Sequence, residues 1–148
     1  HEWFDSDPPE KKTVNALRDF IDAELSSAAE EFLVRGEAGL AVGTSKTFRT
    51  LARLTGSAPS SAGTYVQRTL TAPGLRQLIA FITRMTASDR AELEGVSSDR
   101  SHQIVAGALV AEAAMRALKL DKLDICPWAL REGVILRQID MGQSEGDE

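Results

Sequence analysis

The sequence has little of what disulfide-linked, metal-rich or membrane proteins need. Its 148 residues contain one cysteine, Cys126, which excludes an internal disulfide and a cysteine-rich zinc site. No apolar run approaches the roughly 20 residues of a membrane-spanning helix. Positive charge is also scarce, since 17 Lys and Arg stand against 22 Asp and Glu and the formal net charge is −5. We therefore expect a cytoplasmic protein whose partners include neither nucleic acid nor membrane.

The length and the first residues indicate part of a larger protein. A chain of this length corresponds to one domain, and a hydrophobic fraction of 43% is ordinary for a globular protein with a single core. The chain does not begin with Met, and its opening, HEWFDSDPPEKK, is typical of the middle of a protein. We expect a fragment.

Apolar spacing predicts a helix and then a short strand in the first third of the chain. The helix follows the start signal Asp7-Pro8-Pro9 and ends near Arg35-Gly36. The run Leu40-Ala41-Val42, closed by Gly43, is too brief for a helix and predicts a buried strand. The residues expected on the apolar face of the helix are Val14, Leu17, Phe20, Ile21, Leu25, Ala28 and Phe32.

The rest of the chain is predicted to be helices joined by loops and short strands. Residues 57–64 predict a flexible surface loop without ordered structure, and residues 141–148 a disordered acidic tail. The clearest helix is SSDRSHQIVAGALVAEAAMRAL, capped by Ser98 or Asp99, whose small residues permit close packing. The other expected elements are helices from a Thr44 or Ser45 cap to Thr55-Gly56, from a Thr71 cap to Met85, from Thr86 to Leu93 and from Ala129 to Ile139, an edge strand within 64–70 and a strand at Leu123–Cys126. This order predicts a helix-rich α/β fold in which helices cover a few short strands.

The turn Gly43-Thr44-Ser45-Lys46 has the composition of an anion-binding helix start. The first turn of a helix exposes backbone N–H groups and the positive end of the helix dipole. Gly43 leaves room for a ligand at the backbone, while Thr44 and Ser45 add hydroxyl groups. Lys46 adds a positive charge. A turn of this kind is also a common helix cap, so a plain cap and a phosphate site both remain open on these residues.

Arg100 is the second candidate, because it falls in the predicted first turn of the long helix, where the dipole disfavours a cation. A neighbouring carboxylate such as Asp99 would explain this position without a ligand, and an anion receptor would explain it with one. His102 follows in the same predicted helix. The only other histidine of the sequence is His1, so no metal site is predicted.

No catalytic set is recognisable among the remaining residues. Cys126 is expected in the core, without a histidine nearby in sequence to favour a thiolate. Arg131 and Glu132 are expected to pair with each other or with neighbours and to fix the last helix against the strand before it. The sequence offers no Ser-His-Asp order, no glycine-rich P-loop and no paired carboxylates. On its own residues, the chain therefore resembles a binding lobe.

Three segments carry a resemblance to a known family. In order, AVGTSKTFRTLARLTG, DRSHQIVAGALVAEAAMRALKL and DICPWALREGVIL are similar to the C-terminal lobe of the exopolyphosphatase and guanosine pentaphosphate phosphatase family. The family has a Gly-Thr-x-Lys turn, an Arg-led helix with a small-residue patch and an Ala-Leu-Arg-Glu-Gly segment. Here these correspond to residues 43–46, to Arg100 with Ala106-Gly107, and to residues 129–133. The resemblance covers about residues 1–140.

The resemblance implies a partial second lobe of the actin-like (ribonuclease H-like) ATPase fold. It implies an Mg²⁺-dependent hydrolase in which a Glu activates the water that removes the terminal phosphate of inorganic polyphosphate or guanosine pentaphosphate. That Glu would lie upstream of this chain, so none of its own residues is expected to be catalytic, and an N-terminal lobe of the same protein would be its partner. Gly43, Thr44, Ser45, Lys46 and Arg100 would bind phosphate, and the fragment alone would be inactive.

One position departs from the family pattern, and one rival function remains. Family members often carry an acidic residue two places after the Arg, where this chain has His102. The rival is a non-catalytic module that senses phosphate or forms a homodimer. The sequence does not distinguish polyphosphate from guanosine pentaphosphate as the substrate.

Overall fold

The computed structural model describes residues 3–34, 36 and 39–128, which form five α-helices and a small sheet. Two 3-10 turns, Ser60–Ala62 and Ser98–Arg100, interrupt the connections. The elements in chain order are α1 Lys11–Leu33, β1 Val42–Gly43, α2 Lys46–Leu54, β2 Thr69–Thr71, α3 Ala72–Ile82, α4 Ala87–Ala91, α5 Ile104–Ala117 and β3 Lys122–Ile125. A helix-rich α/β fold with a few short strands is confirmed.

The sheet has β3 at its centre, with strand order β1-β3-β2. β1 runs parallel to β3, and Val42 is opposite Asp124. β2 runs antiparallel to β3, and Leu70 is opposite Leu123. As predicted, β2 is an edge strand. β1 was expected to be buried, but it is the other edge and the Val42 side chain is 49% exposed, because no described strand lies beyond it.

The core lies between the sheet and the helices, with α5 in the middle. α5 packs against α1, α2 and α3, and α2 and α3 also contact the sheet. Gly107 brings α5 close to α2, since a Cβ at this position would lie 2.9 Å from Thr47 Cγ2. The close packing predicted for the small residues of this helix is therefore confirmed at Gly107. The largest fully buried apolar side chains are Leu51, Leu70, Leu75, Ile82, Val105, Leu109 and Met115.

Helix α1 has a narrower buried stripe than its sequence predicts. Val14, Leu17 and Ile21 are buried, as expected, and Arg18 binds Glu112 of α5 at 3.2 Å. The expected apolar face was wrong at Phe20, Ala28 and Phe32, which are exposed. The reason is that α1 packs mainly against the single helix α5, which covers only residues spaced three or four apart. Phe20 lies instead against Trp3, with ring centroids 5.0 Å apart.

The long helix begins later than predicted. Ser98 or Asp99 was expected to cap it, but α5 starts at Ile104, and the residues before it form a 3-10 turn. Hydrogen bonds local to this segment compete with an α-helix: Ser101 Oγ donates to the Ser98 carbonyl at 2.8 Å. The prediction that Arg100 and His102 lie inside this helix was therefore wrong, and the helix-dipole argument for Arg100 no longer applies.

The loop at residues 57–64 is more ordered than predicted, because Arg68 holds it. The Arg68 guanidinium donates to the carbonyls of Ala58 at 2.8 Å, Pro59 at 2.6 Å and Gly63 at 2.9 Å. The 3-10 turn Ser60–Ala62 lies within this loop. The predicted helix Ala129–Ile139 and the tail 141–148 lie outside the described residues. Among the helices that are described, none is long and apolar enough to cross a bilayer.

Candidate functional site

The turn after β1 is fixed by packing at Gly43. Its carbonyl accepts a hydrogen bond from the Cys126 amide at 3.0 Å, which ties the turn to the end of β3. A Cβ on Gly43 would lie 3.0 Å from Leu123 Cδ1 and 3.0 Å from Phe48 Cγ. The space that the sequence suggested for a ligand is therefore filled by two apolar side chains. Because Gly43 has no side chain, β1 and α2 can approach each other closely. A ligand would contact the residues of the turn that follow Gly43.

Ser45 caps α2, and the polar face of the turn is open. Ser45 Oγ accepts a hydrogen bond from the Phe48 amide at 3.1 Å, as an N-cap residue does. Thr44, Ser45 and Lys46 are exposed. The first amides of α2, at Lys46 and Thr47, point out of the helix start without an intrahelical acceptor. Ser45 is thus used by the helix itself, while these amides, the Thr44 hydroxyl and the Lys46 ammonium face solvent.

Arg100 reaches the first turn of α2 from a segment 53 residues away. Its Nη2 donates to Thr47 Oγ1 at 2.9 Å, and the arginine is half-buried. The explanation that needed no ligand was an ion pair with Asp99, but within the described residues Arg100 makes no salt bridge. Thr47 was not predicted as part of the site. The structure therefore gathers Lys46, Thr47 and Arg100 at one helix end.

The pKa of the Asp99 carboxyl is lowered by its surroundings, which include two positive charges. A side-chain hydrogen bond with Ser97 lowers the pKa of the exposed Asp99 carboxyl, and the charges of Lys46 and Arg100 lower it further. Both cations consequently act on the same carboxylate. Lys46 and Arg100 therefore both lie near Asp99.

Lys46 and Arg100 nevertheless line separate hollows on either side of the α2 start. Lys46 lines a cleft of about 310 Å³ with Arg49, Arg53 and Glu94. Arg100 lines a smaller one of about 270 Å³ between α2 and α5.

Arg49 was missed in the sequence, although a signal was present. Positions 46, 49 and 53 are three and four residues apart, which puts their side chains on one face of α2. Arg53 is occupied by Glu94, with bonds of 2.9 and 2.6 Å. Arg49 Nη1 donates to the Pro127 carbonyl at 2.8 Å, which leaves further donors of its guanidinium. Arg49 is therefore a third cation at the edge of the site.

A buried arginine supports the turn that presents Arg100. Arg90 is 3% exposed, and its Nε donates to the Ser101 carbonyl at 2.9 Å. Its Nη1 donates to the Met85 carbonyl at 2.5 Å, and its Nη2 contacts Asp7 Oδ1 at 3.3 Å. Because Ser101 adjoins Arg100, these bonds hold the backbone from which Arg100 extends.

The other sequence candidates lie apart from this site or outside the described residues. His102 is exposed and precedes α5. Cys126 is half-buried at the end of β3, so its expected place in the core was only partly right. The segment 129–133, with Arg131 and Glu132, lies outside the described residues. In the part of the chain that the structure describes, no three His, Cys, Asp or Glu side chains are grouped as metal ligands.

Solved structures with the same fold define the class of protein. A structure of the Aquifex aeolicus PPX-GPPA enzyme matches with a TM-score of 0.77 at 24% identity, covering 91% of this chain and 44% of that chain. An exopolyphosphatase from Cytophaga hutchinsonii matches with a TM-score of 0.76 at 18% identity, with the same two coverages. The chain therefore has the fold of part of these structures, a helix-rich piece of the actin-like fold.

The sequence comparisons then show the family. The model of the Ppx/GppA phosphatase family matches residues 1–141, and the chain belongs to this family. Exopolyphosphatase 1 of Mycobacterium leprae is 64% identical over 146 residues, and Exopolyphosphatase 1 of Mycobacterium tuberculosis is 66% identical over 146 residues. Each alignment covers 99% of this chain but 42% of the relative, so the chain spans less than half the length of these relatives. The resemblance recognised in the sequence is confirmed.

Proposed function

We propose that this chain forms a phosphate-binding wall in an exopolyphosphatase that removes the terminal phosphate of inorganic polyphosphate. The observation that carries the proposal is the 2.9 Å hydrogen bond from Arg100 to Thr47, which brings a distant cation to the first turn of α2. Lys46 lies at the same turn and is exposed. A helix N-terminus with two cations favours a condensed phosphate.

The wall would act by positioning the substrate and neutralising its charge. In phosphoryl transfer the charge is spread over the phosphate oxygens, and fixed donors aimed at them lower the barrier. The exposed amides of the α2 start and the Thr44 hydroxyl would orient the chain, while Lys46 and Arg100 offset its charge. Arg100 uses one nitrogen for Thr47, which leaves the other donors of its guanidinium for phosphate.

Polyphosphate is the favoured substrate, because the two relatives at 64% and 66% identity both carry the name exopolyphosphatase. The activating Glu, most of the Mg²⁺ ligands and the N-terminal lobe would belong to a part of the protein upstream of residue 1. When bound, Mg²⁺ would offset part of the phosphate charge. We further propose that the protein is cytoplasmic and that it can form a homodimer. Residues 1–140 would be a fragment of one lobe, and residues 141–148 would be a disordered acidic tail.

The first test replaces Lys46 or Arg100 by alanine in the full-length protein. Each change removes a charge-assisted contact of about 1.5–3 kcal/mol, so kcat/KM for polyphosphate should fall tenfold or more. Lys12→Ala is the matched control, because Lys12 is an exposed lysine on α1, away from the α2 start. Unchanged kcat/KM in both site variants would contradict the proposal.

Two further measurements separate the enzyme from its rivals. When polyphosphate and guanosine pentaphosphate compete for the full-length protein, polyphosphate should be hydrolysed preferentially. A preference for guanosine pentaphosphate would identify the nucleotide as the substrate instead. The purified chain of residues 1–148 should show no hydrolysis above background, because its activating Glu is upstream. Hydrolysis by this fragment would contradict the proposal that these residues bind phosphate while the activating Glu lies upstream.

A further inference from the structure

The segment before α1 is bound to the start of α4 through Asp7. The Ala87 amide donates to both oxygens of the Asp7 carboxylate, to Oδ1 at 2.9 Å and to Oδ2 at 2.8 Å. The segment itself is anchored, because Phe4 packs against the core and Pro9 is buried. Asp7 therefore joins two parts of the chain that are 80 residues apart in sequence.

The same carboxylate orients the Arg90 guanidinium. Arg90 Nη2 donates to Asp7 Oδ1 at 3.3 Å, and in the described part of the chain no other carboxylate forms a salt bridge with Arg90. A guanidinium is a rigid planar fork, so a partner at Nη2 also restricts the direction of Nε. That Nε donates to the Ser101 carbonyl at 2.9 Å. The contact with Asp7 therefore helps to aim Arg90 at Ser101.

The turn before Ser101 has little support of its own. It is a 3-10 turn of three residues, and such turns have poorer hydrogen-bond geometry than an α-helix. Its two closing backbone bonds, from the amides of Arg100 and Ser101, measure 2.9 and 3.3 Å. The bond from Arg90 is therefore an additional support for the backbone next to Arg100. From that backbone the Arg100 guanidinium extends to Thr47 Oγ1 at 2.9 Å.

We propose that Asp7 is a positioning residue for phosphate binding at the start of α2. Through Arg90 it holds the backbone that presents Arg100, and it lines neither of the two hollows beside the α2 start. Asp7 therefore acts on the reaction without contacting the substrate. Loss of its carboxylate lets the Arg90 guanidinium turn, and Arg100 then loses its fixed position relative to Thr47. The inference rests on the proposed role of Arg100 in phosphate binding.

A double-mutant cycle in the full-length protein tests this link. Asp7→Ala should lower kcat/KM for polyphosphate at least about threefold, because a displaced guanidinium loses part of its charge-assisted contact. In the Arg100→Ala background the same change should have no further effect, since the group that Asp7 positions is already absent. A merely structural loss would lower kcat/KM by the same factor in both backgrounds. Asp5→Ala should leave kcat/KM unchanged, because Asp5 is exposed and forms no salt bridge with a described residue.

Hydrogen exchange measures the support of the turn independently of catalysis. In Asp7→Ala, the amides of Arg100, Ser101 and Gln103 should exchange at least about threefold faster, because the turn has lost part of its support. The amides of β3 should exchange as in the wild type, which would show that the variant is folded. Unchanged exchange at the turn, or equal losses of kcat/KM in both backgrounds, would overturn the inference.

The outcomes also separate this inference from the proposed function. A loss of kcat/KM in Arg100→Ala without any loss in Asp7→Ala would overturn the positioning role alone. Unchanged kcat/KM in Arg100→Ala, together with faster exchange in Asp7→Ala, would overturn the phosphate role of Arg100 and therefore the positioning role as well.

Discussion

Arg90 and Arg100 lie ten residues apart, yet the protein uses them in opposite ways. Arg90 is 3% exposed and donates to the carbonyls of Ser101, Ile82 and Met85, with Asp7 as its carboxylate partner. Arg100 is half-buried and donates to one hydroxyl. Both carry the same charge in similar sequence surroundings, so the sequence alone does not separate them.

The difference shows which arginines are available to a ligand. A buried guanidinium must have its donors satisfied inside the protein, because an unpaired buried charge is very costly. Arg90 meets this demand and links three segments of the chain. Arg100 keeps donors near the surface at a helix N-terminus. We therefore propose that Arg90 serves the structure and that Arg100 binds phosphate, and substitutions at and around the two arginines test this contrast.

The largest effect is expected when Arg90 is replaced by methionine. Arg90→Met removes the guanidinium bonds to the carbonyls of Ser101, Ile82 and Met85 and leaves the Asp7 carboxylate with only the Ala87 amide as donor, so the free energy of unfolding should fall by about 3 kcal/mol or more. Chemical denaturation of the full-length protein measures it. Arg116→Met is the control, because its exposed ion pair with Asp22 should contribute less than about 1 kcal/mol. If both variants lost a similarly small free energy of unfolding, Arg90 would be no more important for the structure than an exposed arginine.

Gly107→Ala should displace Thr47, the residue to which Arg100 donates its hydrogen bond. A Cβ at Gly107 would lie 2.9 Å from Thr47 Cγ2, so Thr47 must shift, at a cost of about 1–3 kcal/mol in stability. Because Thr47 binds Arg100, kcat/KM for polyphosphate should fall as well. Gly39→Ala is the control, since a Cβ at Gly39 would have no atom within 4 Å. Full activity of the Gly107 variant would show that the Thr47 contact is dispensable.

Ser45→Ala tests the cap separately from the phosphate contacts. The loss of the bond to the Phe48 amide should lower the free energy of unfolding by about 1 kcal/mol. Ser45→Asn should restore the stability, because asparagine is an equally good cap. If the alanine variant were as stable as the wild type, Ser45 would not serve the helix as its geometry indicates.

The smallest effect concerns the pKa of Asp99, which NMR titration of the carboxyl carbon measures. Lys46→Ala and Arg100→Ala should each raise this pKa towards its usual value, and Ser97→Ala should raise it more, because that hydrogen bond is the largest cause of the shift. A lowered pKa in the folded state stabilises it above the unfolded-state pKa, and this contribution is lost as the pH falls. No change in the pKa of Asp99 in the Lys46→Ala variant would mean that the Lys46 charge does not act on this carboxylate.

Local patterns predicted most of the helices and strands. The predicted caps at Ser45 and Thr71 are present, because short polar side chains bind the first amides of a helix wherever it packs. The start of α5 was not predictable, because hydrogen bonds from the distant Arg90 and the local serines decide it. The narrow face of α1 likewise depends on which helices surround it.

The candidate site was predictable by residue type but not by arrangement. Lys46 and Arg100 were named from the sequence, while the role of Gly43 depended on the side chains of Leu123 and Phe48 across the strand. The bond between Arg100 and Thr47 joins residues 53 positions apart, and no local pattern encodes such a pairing. The pairing depends on the close approach of α2 and α5.

The most direct test of the central claim is the affinity of the full-length protein for a short inorganic polyphosphate. Titration calorimetry should show Arg100→Ala binding at least about tenfold more weakly than the wild type, and Arg100→Lys in between, because lysine keeps the charge but not the paired donors. Arg76→Ala should bind as the wild type does. An unchanged affinity in Arg100→Ala would contradict the claim that the start of α2 and Arg100 form the phosphate-binding wall.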